Sequence, residues 1–160
     1  MKLLFLVSVP LLLAGSAVQA KPGHSALKWG DAPPSLPAGA QMAVVRGDPG
    51  KKGKFTVELK MPADYAVPAH SHPTDEVLKV VSGKLHYGMS DKLDLAHAKT
   101  LGAGHSVTMK AKMNHWVHAS APATVQVSGT GPFQITYVDP KDDPRNANAA
   151  SAKSDKAKKK

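Results

Sequence analysis

The feature that most constrains the fold is a series of short β-forming runs between Met42 and Tyr137. The runs are rich in Val, Ile, Thr, Tyr and Trp, and Gly, Pro, Asp, Asn or Ser separates them, as is typical of strands and turns. They read MAVVRG, KFTVELKM, EVLKVVSG, KLHYGM, HSVTMK, HWVHA, ATVQVSG and FQITYV. The one helix that the pattern predicts is short and lies around Asp94–Lys99. So many strands with so little helix predict an all-β sandwich or barrel rather than a βαβ sheet.

Residues 1–20 have the features of a secretory signal peptide. Lys2 precedes an apolar stretch from Leu3 to Leu13, and Val18 and Ala20 are the small residues that a signal peptidase accepts before its cleavage point. Membrane spans need roughly 20 apolar residues, so this stretch predicts export without stable membrane insertion, the alternative being a retained anchor helix. We therefore expect the mature chain to begin at Lys21, in an exported protein of a bacterial periplasm.

The remaining chain divides into an arm, one domain and a tail. Residues 21–40 are rich in Pro, Gly and Ala and predict an extended N-terminal arm that lies along the domain, while residues 41–139 hold the β-runs. Residues 140–160 have almost no large apolar side chain to bury, which predicts a disordered, lysine-rich tail. The chain contains no cysteine, so the fold has no disulfides and a metal site cannot use thiolates.

The net charge of +9 is not a sign of nucleic-acid binding. Residues 141–160 contain seven Lys or Arg and three Asp, so much of the excess lies in the predicted tail. Nucleic-acid binding would require a basic surface on the folded domain with aromatic residues among it, and the sequence shows neither. The charge is better explained by solubility or by loose attraction to an anionic surface.

The segment richest in chemistry is PAHSHPTDEVLKVVSG. His70 and His72 are two residues apart, so on a strand both imidazoles leave the same face. A turn at Pro73 would bring the carboxylate of Glu76 back towards them, and His115 supplies a third imidazole from another run. Three nitrogens and one carboxylate suit one divalent transition metal (Fe, Mn, Ni, Cu or Zn) and leave one or two positions open for water or substrate.

The spacing of these residues resembles the two sequence motifs of the cupin superfamily. In the first, G-x5-H-x-H-x3–4-E-x6-G, His70, His72, Glu76 and Gly83 stand at the required separations, and in the second, G-x5-P-x-G-x2-H-x3-N, Gly104 and His115 do. The resemblance spans roughly residues 27–139. It implies a small cupin β-barrel (double-stranded β-helix, or jelly roll) in which His70, His72, Glu76 and His115 are the metal ligands.

The chain departs from the motifs at four turn or supporting positions, which are Asp64, Lys110, Lys112 and Ala119. The two lysines change the expected turn before His115 and put positive charge near the mouth of the barrel. That charge has two interpretations, an anionic substrate or a solvated turn. Asp75 is a competing carboxylate, but the spacing to Gly83 selects Glu76, so Asp75 is expected to cap the turn or face solvent.

Other residues are weaker candidates for the site. Tyr65 and Trp116 are candidates for an apolar pocket wall, although core packing is the favoured interpretation of both, and Gln126 could point inward to a ligand. For proton transfer the candidates are Glu76 and Tyr87. Gln134 could orient a histidine from behind. His118 lies three residues from His115, so on a strand it faces the opposite way.

Two functions follow from the resemblance. The first is a metal-dependent cupin enzyme that acts on a small oxygen-rich substrate by dioxygenase, decarboxylase, isomerase or lyase chemistry. The second is a non-catalytic cupin of the periplasm that binds a metal or a small ligand. Small cupins commonly pair through edge strands, so we also expect a homodimer. We expect a small-molecule ligand as well.

Overall fold

The computed structural model describes residues 27–146, which form eleven β-strands and two short 3-10 helices. The predicted signal peptide, residues 21–26 of the arm and residues 147–160 of the tail lie outside the described residues. The strands, in chain order, are β1 (Gly30–Asp31), β2 (Gln41–Arg46), β3 (Gly53–Met61), β4 (Tyr65–Ser71), β5 (Glu76–Ser82), β6 (Lys84–Gly88), β7 (Lys99–Gly102), β8 (Ser106–Met109), β9 (His115–Ala119), β10 (Ala123–Gly131) and β11 (Thr136–Tyr137).

The strands form two antiparallel sheets that face each other. One sheet has the order β1-β2-β3-β10-β5-β8 and the other has the order β11-β4-β9-β6-β7. Chain neighbours such as β4 and β5 lie in different sheets, so the chain crosses repeatedly between the two layers. The prediction of an all-β barrel or sandwich is confirmed.

The core lies between the sheets because apolar residues alternate along the long strands. In β3 the residues Val57 and Leu59 are buried, and their partners on β10, Val127 and Val125, are buried as well. Each such side chain contributes about 1.5–3 kcal/mol to stability when it is fully buried. The two central strands of the larger sheet therefore form one wall of the interior.

The sequence pattern misses three strands, the two-residue β1 as well as β4 and β7, and overstates the helix. Strand β4 contains Pro68, which cannot donate a ladder hydrogen bond, and its pairing with β9 shifts register between Val67 and His70. Strand β7 has only four residues, too few for a periodic signal. The helix predicted at 94–99 is one turn of 3-10 helix, Leu95–His97, whose first turn is capped by the side chain of Asp94.

In four turns, the residue at a glycine position of the cupin motifs has a left-handed backbone conformation. Gly83 and Gly104 have φ of 79° and 84°, and Asp64 and Lys112, which replace glycines of the family pattern, have φ of 58° and 63°. Non-glycine residues rarely adopt this region. The turn before His115 therefore keeps the conformation that glycine would give it, and Lys112 N donates to His72 O at 2.8 Å.

The described part of the arm lies along the barrel. Two tyrosine hydroxyls donate to its backbone carbonyls, Tyr65 to Pro37 O at 2.6 Å and Tyr137 to Ser35 O at 2.8 Å. Its Trp29 ring lies 3.9 Å from the Lys60 ammonium. Among residues 27–146, no helix is long and apolar enough to cross a membrane.

The left-handed turn at Lys112 predicts a particular order of stabilities. We expect Lys112→Gly to leave the free energy of unfolding unchanged or to raise it by up to about 1 kcal/mol, because glycine removes the steric cost. Lys112→Val should lower it by about 1 kcal/mol, because a β-branched residue fits this region worst. Urea denaturation measures both. Lys79→Val, on the exposed face of β5, is the control and should be close to neutral; equal effects of valine at the two positions would contradict the interpretation.

Candidate metal centre

Four buried side chains converge at one end of the barrel interior. His70, His72, Glu76 and His115 each offer one donor atom, and these atoms all lie within 4.8 Å of one another. All four residues are at most 5% exposed. The structure therefore brings together the complete set that the sequence predicts as metal ligands.

The two sheets together assemble this cluster. Pairing of β4 with β9 sets His70 opposite His115, so two imidazoles start from adjacent strands of one sheet. His72 follows β4 directly, and Glu76 is the first residue of β5 in the other sheet. The short crossing from β4 to β5 thus carries the carboxylate to the opposite side of the three imidazoles.

Backbone carbonyls fix the orientation of all three rings. The Nδ1 atoms of His70, His72 and His115 lie 2.6, 2.6 and 3.0 Å from the carbonyl oxygens of Pro68, Gln134 and Met113. A carbonyl oxygen only accepts, so each Nδ1 carries the proton and donates it. In a neutral ring, Nε2 is then left with a free lone pair, which is the state in which imidazole binds a metal.

Donor atoms face one another across the centre of the cluster. Nε2 of His72 and Nε2 of His115 lie 3.3 and 3.2 Å from Oε2 of Glu76. Oε2 of Glu76 and Nε2 of His115 are both shielded from solvent and make no hydrogen bond. Lone pairs that face each other at this distance repel unless a cation lies between them, and an unsatisfied buried polar atom is costly. The arrangement fits a divalent metal.

The pKa values favour the forms of these residues that bind metal. Burial, with His115 and His72 close by, lowers the pKa of His70 to about 3, so this imidazole is neutral near pH 7. Burial alone would raise the pKa of Glu76, but its contacts with His115 and His72 outweigh burial and hold that pKa below its usual range. The carboxylate is therefore ionised.

Two residues of the loop before β11 support the centre, and the motifs do not include them. Phe133 stacks on His72 with ring centroids 4.2 Å apart and an interplanar angle of 20°. Gln134 orients His72, as the sequence suggested, but through its backbone carbonyl rather than its side chain. Phe133 could have been suspected only as an aromatic residue in a predicted strand.

At the rim of the barrel, the charged residues pair with each other. Asp75 accepts from the Lys110 ammonium and from the backbone N–H of Ala111, both at 2.8 Å. Asp75 thus caps the turn that precedes His115, as expected. Lys110 is partly neutralised by this pair, which favours the interpretation of a structured, solvated turn over that of an anion site.

The cluster opens into a cavity of about 300 Å³. Besides the four ligand candidates, its wall is almost entirely apolar. It consists of Pro33, Ser35, Leu36, Met42, Pro49, Gly50, Phe55, Val57, Leu59, Met61, Val67, Leu78, Val117, Val127, Phe133 and Ile135. A cavity of this size suits a small organic molecule.

The structure does not place the predicted pocket residues in this wall. Tyr65 is buried with its hydroxyl on the arm, and Gln126 faces away and donates to Glu58 at 3.4 Å. Trp116 points to the outer side of its sheet, where Nε1 donates to Ser90 Oγ, and packs over Gly88, whose lack of a side chain makes room for the indole. Strand register decides the directions of Trp116 and Gln126, because Val117 and Val127 next to them line the cavity and adjacent strand residues face opposite ways. Tyr65 lies on the same face as Val67 and belongs to the core, but it is not among the described residues that line the cavity.

Tyr87, predicted to take part in proton transfer, is half-buried and packs against the hydrophobic core. It is not among the described residues that line the cavity. Glu76 is the other residue predicted for this role, and it does line the cavity. The role of Glu76 in proton transfer stays a prediction.

Comparison with solved structures gives the fold. The chain resembles a candidate acetylacetone dioxygenase from Methylibium petroleiphilum (TM-score 0.59, 19% identity, 83% of this chain and 90% of that chain). It also resembles the polyketide cyclase RemF from Streptomyces resistomycificus (0.58, 15%, 78% and 89%) and an RmlC-like cupin from Shewanella frigidimarina (0.53, 15%, 66% and 85%). No protein-family profile and no curated protein matches the sequence. These likenesses confirm the predicted small cupin β-barrel.

Removal of single ligands tests the metal centre. We expect His72→Ala and the isosteric Glu76→Gln to weaken metal binding by about 100-fold or more, because even residues that only orient ligands affect affinity by 10- to 100-fold. Metal content of the purified proteins and titration of the metal-free proteins measure this. His118→Ala, three residues from His115 on β9, is the control and should retain about one ion per chain. Full metal content in either ligand variant would rule out this site.

The low pKa of His70 predicts how the stability of the metal-free protein depends on pH. Between pH 6.5 and about 3 the unfolded chain binds a proton at His70 that the folded chain does not accept. Stability is therefore fully present above pH 6.5 and falls as the pH drops, by about 2 kcal/mol from pH 7 to pH 5. Urea denaturation at both pH values measures the change. His70→Gln should flatten it and the exposed His105→Gln should not; a flat profile in the unsubstituted protein would contradict the prediction.

Proposed function

We propose that this chain, which has the cupin fold, is an enzyme that uses one divalent transition metal to transform a small molecule. His70, His72, Glu76 and His115 would hold the ion. The observation that carries the proposal is that these four buried donors stand at one end of a cavity large enough for a substrate. A purely structural metal site is usually closed by its own ligands and does not open into such a cavity.

The bound ion would act as a Lewis acid or a redox centre. The chain itself fixes the three imidazoles through the carbonyl groups behind them, so the ligands need not reorganise when the ion or the substrate binds. The apolar wall excludes water from the reacting end of the cavity, which strengthens electrostatic interactions there. Glu76 is the only carboxylate among the described residues of the wall, so it would hold or transfer a proton.

Two proteins with a similar fold suggest which reactions to test first. One is a candidate acetylacetone dioxygenase and another is a polyketide cyclase. Acetylacetone is a small diketone, so a substrate with neighbouring carbonyl groups is a reasonable first choice. Dioxygenase, decarboxylase, isomerase and lyase reactions are the classes proposed for this chain.

A second candidate function is a cupin that binds a metal or a small ligand without turnover. One observation favours it. Apart from the ligand cluster, the described wall of the cavity offers no side chain suited to general acid–base catalysis, because Ser35 is its one remaining polar residue. A carrier or sensor would need nothing more than the cluster and the cavity.

We also propose that the protein is exported to a bacterial periplasm, as its first twenty residues suggest, and that it forms a homodimer. Val44 and Val45 on β2 are 46% and 41% exposed, next to the edge strand β1, which supports an interface on this side of the larger sheet. A monomeric mass for the mature chain in solution would exclude the dimer.

Metal content and turnover, measured together, test the proposed function. We expect the mature chain to bind one redox-active ion and to consume O2 with a diketone or a flavonol, or to convert oxalate or a related acid. Glu76→Gln should remove both the metal and the turnover, whereas His118→Ala should retain both. An oxygen electrode and product analysis follow the reaction. Full metal binding without conversion of any of these compounds would favour the binding protein over the enzyme.

A further inference from the structure

We propose that the ligand of this cavity has an apolar body and carries its polar atoms at one end only, the end that meets the ligand cluster. The inference rests on the proposed function, because that polar end would bind the metal. It narrows the expectation of an oxygen-rich substrate: polyhydroxylated acids and dicarboxylates would be excluded, and molecules with an alkyl or aryl body would be favoured.

The wall of the cavity is built mainly from apolar side chains. Both sheets contribute aliphatic side chains to it: Val57, Leu59, Leu78 and Val127 come from the larger sheet, and Val67 and Val117 come from the smaller one. These residues are buried, and Phe55 and Phe133 add two aromatic rings that pack 4.9 Å apart. A wall of this kind stabilises a bound molecule in proportion to the apolar area that the molecule buries.

The polar side chains of the wall are concentrated in the ligand cluster. The four ligand candidates lie together at one end, and Ser35 is the only other polar side chain of the wall. None of the described residues that line the cavity is Lys or Arg. A hydroxyl or carboxylate on the far part of a ligand would therefore lose its water without gaining a partner. For each hydroxyl this weakens affinity by roughly 5- to 100-fold.

The N-terminal arm closes part of the cavity. Pro33, Ser35 and Leu36 of the arm form part of the wall. The arm is held at this place by the hydroxyl groups of Tyr137 and Tyr65, which donate to Ser35 O and Pro37 O. Burial raises the pKa of Tyr65 to about 12, so its hydroxyl remains a donor at all ordinary pH values. The arm thus forms part of the boundary of the space that a ligand can occupy.

A series of chelating probes tests the inference on the metal-loaded protein. Acetohydroxamate, hexanohydroxamate and gluconohydroxamate share one metal-binding head, and the last two have the same chain length. We expect each added methylene to lower Kd about fourfold until the cavity is full, so hexanohydroxamate, with four more methylenes, should bind about 250-fold more tightly than acetohydroxamate. Gluconohydroxamate should bind no better than acetohydroxamate. Calorimetry measures each Kd.

Substitutions in the wall assign the effect to this cavity. Val127→Thr adds a hydroxyl to the wall at nearly constant volume, so it should weaken hexanohydroxamate binding by roughly fivefold and leave acetohydroxamate unchanged. The control is Val77→Thr on β5, a valine that is 40% exposed on the outside of the same sheet. Leu36→Ala should move the tightest binding to a longer chain. Melting temperatures verify that the variants are folded.

The outcomes separate this inference from the proposed function. Equal affinity for the hexano and glucono probes, or a Kd that does not depend on chain length, would overturn the inference while the metal centre stands. If the protein binds neither metal nor acetohydroxamate, the proposed function fails. The apolar cavity is then tested with metal-free protein, whose melting temperature should rise with 1-hexanol and not with sorbitol; no difference between these two would overturn the inference as well.

Discussion

The burial of three imidazoles and one carboxylate inside an apolar chamber is the constraint on which the rest of this structure depends. Polar groups in such surroundings are costly unless each has a partner. The chain provides one for every Nδ1, a backbone carbonyl from β4, from the loop before β9 or from the loop before β11. It leaves Oε2 of Glu76 and Nε2 of His115 without one. A divalent cation bound between these two atoms would give both of them a partner.

These unsatisfied buried atoms would couple metal binding to folding. Without an ion, the buried atoms that lack a hydrogen bond carry a cost, and the apolar strands on either side offset it, with Val57, Val125 and Val127 at the centre of the larger sheet. With the ion bound, the site stabilises the folded chain, because the unfolded chain cannot present four donors together. The two sheets stabilise the fold, and their inner faces form the apolar wall of the cavity beside the proposed metal centre.

The turns show that a motif can keep its backbone after losing its residues. Asp64 and Lys112 stand where the family pattern has glycine, and both retain a left-handed backbone. At Lys112 this conformation directs the N–H towards His72 O and so helps to hold the segment that carries His72. The lysine at the next altered position, Lys110, pairs with Asp75 at the rim. The substitutions change the charge at the mouth of the barrel but not the shape that places the ligands.

The sequence predicted eight of the eleven strands from local alternation, and its resemblance to the cupin motifs predicted the four ligand candidates. Alternation marks a strand, and the separations among His70, His72 and Glu76 specify a site. It did not reveal the carbonyl that orients His72, which lies 62 residues further along the chain, nor the stacking of Phe133. Tyr65, Trp116 and Gln126 were selected by residue type. Strand register turns Trp116 and Gln126 away from the cavity, and Tyr65 packs in the core with its hydroxyl on the arm. Alternation and motif spacing are visible in the sequence. The convergence of the four side chains and the chamber around them come from pairing between distant strands, which only the tertiary structure decided.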